Sequence, residues 1–158
     1  MFSGRAVARR CVAPGEEGPA LPRSSRWLVR AALVHLVAAM LLAWGEAAAR
    51  AGLLPAEIRL ARPVWIHLLA VGWLSQLAFG VALWMFPRPR DGRPASETSL
   101  LAAWFALNLG LLVRAVAEPA WSLRGARIWG LCLVASGLMQ WVAMAWVVRA
   151  LWPRVRGR

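Results

Sequence analysis

Two histidines and one charged pair stand out in this chain because each falls in or at the edge of a long apolar run. His67 follows the start of one run, while Arg114 and Glu118, four residues apart, close another. At that spacing a helix places Arg114 and Glu118 on one face, where they neutralise one another. With a helical rise of about 1.5 Å per residue, His67 lies roughly 5 Å below the outer boundary of an apolar layer, Arg114 at similar depth and Glu118 one turn further out. Ionisable residues inside hydrocarbon are expensive and mark functional sites by default. The plain reading is a structural ion pair with a histidine at the headgroup edge. The sharper one is a cofactor pocket, in which His67 ligates a metal centre and Arg114 meets an acidic substituent such as a haem propionate.

A second set lies deeper. His35, Gln76, Asn108, Ser136 and Gln140 place one or more polar groups in each of four apolar runs. His35 falls about 12 Å from the cytoplasmic face and Gln76 at roughly the same depth, with Asn108 and Ser136 near the midplane and Gln140 slightly cytoplasmic of it. Polar groups in hydrocarbon must find partners, so interhelical hydrogen bonds that fix register are the first expectation. A cofactor or translocation role is the alternative. The layer contains no Asp or Glu, unlike a proton-pump pathway. His35 and His67 differ by roughly 12–14 Å in depth, so they do not ligate one upright haem together. With two histidines and no carboxylate partner, a copper or di-iron site inside one chain is not expected.

The elements that must position these residues follow from composition. The chain has 158 residues, 60% hydrophobic and 16% charged, where a soluble domain carries about 25% charge. Four apolar runs are each long enough to cross about 30 Å of hydrocarbon. The expected spans are about 27–44, 64–86, 98–117 and 126–148, the last three ended by prolines at Pro87, Pro119 and Pro153. Thr98 or Ser99 is the expected cap of the third. The fold expected is all-α: a polytopic, antiparallel four-helix transmembrane bundle over 27–148, between a disordered basic tail at 1–26 and a basic tail at 149–158. This excludes a soluble enzyme and a hidden catalytic domain.

All 19 basic residues are arginine, against seven acidic ones, for a net charge of +12. In a polar chain that balance suggests nucleic acid, but here the arginines gather at the ends of apolar runs, where anionic headgroups attract them, and no nucleic-acid partner is expected. Twelve lie in the N-tail, the middle loop (Arg88, Arg90, Arg93) and the C-tail; five lie in the other two loops. Both termini are therefore expected on the cytoplasmic side of the inner membrane. Trp27, Trp44, Trp65, Trp84, Trp121, Trp146 and Trp152 sit near span ends, as an interfacial aromatic belt does. Cys11 and Cys132 make no metal or disulfide pattern. Small-residue faces, Ala31, Ala32, Ala38 and Ala39 around His35, and Gly72 and Gly80 around Gln76, suit close helix contact. Besides membrane lipids, a second copy or a partner membrane subunit is an expected neighbour.

The stretch Ile66–Pro89, IHLLAVGWLSQLAFGVALWMFPRP, resembles a helix of small multi-span bacterial proteins related to the haem–copper (cytochrome c) oxidase catalytic subunit I. The matching residues are His67, Gly72, Trp73, Gly80 and Pro87, and Ala106–Pro119 resembles the following helix. The resemblance implies a four-helix respiratory-type membrane protein with His67 as the best haem ligand. The large subunit carries several histidines on later helices; these four runs hold no such set, so oxygen reduction by this chain alone is excluded. Three expectations result: a non-catalytic accessory or assembly protein, a haem-binding electron-transfer or sensing protein, and a small transporter subunit.

Overall fold

A computed structural model describes residues 22–86 and 95–155. Its four long helical stretches are each long and apolar enough to cross a membrane, the character of a multi-pass membrane protein. The first is α1 (Arg23–Arg50). The second is composite: a 3-10 helix (Ala56–Ala61), α2 (Arg62–His67), a π-helical segment (Leu68–Ser75) and α3 (Gln76–Met85). The third and fourth are α4 (Glu97–Arg124) and α5 (Arg127–Val155). Every regular element among the described residues is helical.

Each 28-residue helix is about 42 Å long, more than hydrocarbon alone requires. Much of the exterior is apolar. Val34, Leu41, Val134, Leu138 and Trp141 are each more than half exposed. Such a surface is a liability in water and is covered without cost by lipid tails. Inside, Leu28, Leu83, Leu100, Leu107 and Val147 form one apolar cluster, and Ala39, Val64, Leu68 and Leu111 another.

Helix ends differ from the sequence expectation in three places. Pro119 does not end α4, which runs five residues beyond it before Gly125 adopts the left-handed conformation, φ 59°. The lost backbone bond is offset by packing: a Cβ added at Gly130 of α5 would lie 3.1 Å from the Trp121 ring, so the indole sits directly on that glycine. Pro153 likewise lies inside α5. Beyond it, Arg154 is buried and its Nη1 donates to the Leu83 carbonyl at 3.0 Å. That carbonyl is in the last turn of α3, where acceptors lack helical partners. Finally, the cap of α4 is Ser96, whose Oγ accepts from Ser99 N at 3.1 Å, rather than Thr98 or Ser99.

The start of α1 also lies inside the stretch expected to be a disordered tail. Arg23 and Arg26 are helical, and Glu97 of α4 accepts the Ser24 N–H, one of the orphan donors of the first turn. The first part of that tail with Cys11, the Arg88–Arg93 connection with Pro87 and Pro89, and Arg156–Arg158 lie outside the described residues.

Candidate functional site

The polar layer resolves into two linked clusters. His35, on the buried side of α1, lies against Gly72 in the π-helical segment: a Cβ there would be 2.8 Å from His35 Cγ. Only a glycine admits the ring at this distance. One turn further, the fully buried Gln76 donates from Nε2 to His35 Nδ1 at 3.3 Å. The same amide pairs reciprocally with Asn108 of α4. Gln76 Nε2 donates to Asn108 Oδ1 at 3.4 Å, and Asn108 Nδ2 donates to Gln76 Oε1 at 3.3 Å. Asn108 Nδ2 also donates to the Trp104 carbonyl at 2.7 Å. Three of the four spans thus meet in one chain of bonds.

The second cluster joins α4 to α5. The Ser136 hydroxyl donates to the Gly110 carbonyl at 2.9 Å, and Gln140 Nε2 donates to Ser136 Oγ at 3.0 Å. Gly110 permits this approach, because a Cβ there would lie 3.0 Å from Gln140 Cγ and 3.1 Å from the Ser136 carbonyl. Ser136 and Gln140 are both buried.

The charged residues do not assemble as the cofactor-pocket reading requires. Arg114 Nε and Glu118 Oε2 are 3.3 Å apart, an ion pair with both side chains mostly buried. Those two atoms nevertheless lack hydrogen-bond geometry and have no other partner, so the pair is held by charge more than by directed bonds. Arg114 faces α5, with Nη1 4.0 Å from the position of a Cβ on Gly137. His67 instead turns back on its own helix, where Nδ1 meets the Pro63 carbonyl at 2.9 Å. A carbonyl only accepts, so Nδ1 carries a proton and donates here. No hydrogen bond or ion pair joins His67 to Arg114 among the described residues.

The donor set does not supply two axial ligands to one haem within the chain. His67 offers one nitrogen, His35 is occupied by Gln76 nine residues (about 13 Å) further along the span, and Arg114 points elsewhere. Among the described residues no group of three or more His, Cys, Asp or Glu could hold a metal ion.

Four contacts were not anticipated from the sequence. Glu46, near the end of α1, is buried, and three donors hold it. Arg50 Nε reaches Oε1 at 3.0 Å with Nη2 on the same oxygen, and Trp65 Nε1 donates to Oε2 at 2.7 Å. Ser25 Oγ donates to the Gly80 carbonyl at 2.6 Å. Glu97 and Arg154 clasp the opposite end. Only the Glu46–Arg50 spacing carried a sequence signal, the same four-residue interval as Arg114–Glu118.

No protein family, curated protein or solved structure matches this chain.

Proposed function

We propose that the chain is a non-catalytic, antiparallel four-helix subunit with an accessory or assembly role in a respiratory-type complex of the bacterial inner membrane, related to oxidase subunit I. The observation that carries its non-catalytic part is the bonding of the mid-bundle layer. Gln76, Asn108, Ser136 and Gln140 bond to one another, to His35 or to backbone carbonyls, which is how a bundle fixes register in lipid. The antiparallel order is supported by Ser25 meeting Gly80 while His35 meets Gly72 and Gln76. Cytoplasmic termini are supported by twelve arginines against five. The respiratory assignment rests on the resemblance of Ile66–Pro89 and Ala106–Pro119.

A second reading is favoured by one observation. His67 donates Nδ1–H to a backbone carbonyl, the arrangement that orients an imidazole for ligation through Nε2. In that reading His67 supplies one ligand to a haem shared with a second copy or a partner subunit. An absorption spectrum of the protein purified with haem supplied, oxidised and reduced, separates the two. The first reading expects no Soret band and an unchanged fold in His67→Ala; a band present in the wild type and lost in that variant overturns it.

A further inference from the structure

We infer that the cleft between the last turn of α1 and the start of α2 binds a phosphate group of single negative charge, supplied by an anionic phospholipid headgroup or by free phosphate. The cleft has a volume of about 270 Å³ and is lined by Ala43, Glu46, Ala47, Arg50, Arg62 and Trp65. Its charges do not balance internally: one carboxylate faces two guanidinium groups, a surplus of one positive charge. Arg50 alone satisfies the ion pair, placing Nε and Nη2 on Glu46 Oε1. The indole of Trp65 takes the other oxygen.

Arg62 is therefore paired with Glu46 by charge alone, without a hydrogen bond. Its Nε is 4.0 Å from Glu46 Oε1, beyond hydrogen-bond distance, and its side chain is 60% exposed. Among the described residues its planar fork of donors makes no hydrogen bond, although it is held beside a buried carboxylate. A guanidinium so placed matches phosphate oxygens in bidentate geometry. Glu46 acts as a positioning residue. It draws both arginines to the cleft, and Arg50 occupies it, so the incoming anion faces net positive charge. Glu57 and Arg59 of the adjacent 3-10 helix are exposed, lie outside the cleft lining and cancel.

The surroundings suit a lipid. Ala43 and Ala47 carry an apolar strip along α1 into the cleft, and Trp44 is 68% exposed beside them. Aromatic rings and arginines at a span end mark headgroup depth. A zwitterionic headgroup brings its own cation and cannot neutralise the surplus charge.

The test uses the full chain in neutral detergent, with native mass spectrometry reading bound ligand as phosphatidylglycerol, phosphatidylcholine or inorganic phosphate is titrated. One phosphatidylglycerol per chain is expected, held in preference to phosphatidylcholine and released as ionic strength rises. Arg62→Gln, a change at an exposed side chain, is expected to weaken it about tenfold. Arg124→Gln, at an exposed arginine ending α4, is expected to leave it unchanged. Inorganic phosphate that binds alone and displaces the lipid identifies free phosphate as the source and upholds the site. Equal retention of both lipids, or equal effects of the two substitutions, overturns it, as does the absence of binding by any of the three probes.

Discussion

The two helix pairs of this bundle are joined by different means. α1 and the second span are connected by side chains that cross at three levels: Ser25 on Gly80, His35 on Gly72 and Gln76, and Glu46 on Trp65. Between α4 and α5 there is one buried polar cluster, Ser136 and Gln140 on Gly110, besides the packing of Trp121 on Gly130. Their charged pair, Arg114 and Glu118, lies within α4 instead of bridging the two helices. The linkers explain the difference. Gly125 and Ala126 alone separate α4 from α5, so the chain itself holds them together. Eleven residues, Ala51–Ala61, separate α1 from α2, and closing a longer loop costs more entropy. Lipid tails are as apolar as leucine and supply no hydrophobic drive for helix pairing, so close packing and hydrogen bonds must supply it. The pair with the longer linker carries more of them.

The largest expected effect lies in the α4–α5 half. Glu118→Ala leaves Arg114 without its counter-charge and should cost about 3 kcal/mol, read as a lowered midpoint in detergent-based thermal unfolding. The double variant Arg114→Met, Glu118→Leu should recover to within about 1 kcal/mol of wild type, because an apolar pair needs no desolvation. If it is no better than the single variant, the pair contributes more than charge balance.

Next comes the glycine contact of the other half. Gly72→Ala drives a methyl to 2.8–2.9 Å from His35 Cγ and Cβ. It should destabilise by about 2 kcal/mol, since the obstructing atoms lie near the backbone and cannot swing aside. Chemical denaturation in mixed micelles would detect it; an unperturbed variant would show that α1 and the π-helical segment are not tightly packed.

Ser25→Ala removes one of the three crossings and should cost about 0.6 kcal/mol, the usual value for a hydrogen bond between membrane helices. A double-mutant cycle with Gly72→Ala tests whether the crossings act independently, as their separation along α1 implies. The smallest effect belongs to Gly137→Ala. Its Cβ would meet nothing closer than Arg114 Nη1 at 4.0 Å, so the gain in helix propensity should dominate, about 0.5–1 kcal/mol of stabilisation. A loss there would mean that α5 approaches α4 as closely as α1 approaches the second span.

Several of these features could be read directly from residue types. Four long apolar runs require four helices, because no other open structure satisfies its backbone in lipid. The i,i+4 spacing of Arg114 and Glu118 brings them together in any α-helix. Comparing depth from span ends also placed His35 and Gln76 together, and they bond. The failures concern angle and termination. Depth says nothing about azimuth: His67 turns to the Pro63 carbonyl of its own helix, and Arg114 faces α5. Proline rules describe an isolated helix, whereas Pro119 and Pro153 are carried through by Trp121 on Gly130 and Arg154 on Leu83. The π-helical segment has no composition signature at all, yet its Gly72 is where His35 seats.

Hydropathy and covalent spacing are local properties, and they were enough to establish the helical content, the membrane-scale length of the helices and the intrahelical Arg114–Glu118 ion pair. Which polar groups meet across helices depends on how each helix is rotated about its axis, and that is settled only when glycine backbones and side-chain volumes from different spans come into contact. The same holds for Glu46. Its partner Arg50 is prescribed by helix geometry, while Trp65 and Arg62 reach it only because the second helical stretch packs against α1.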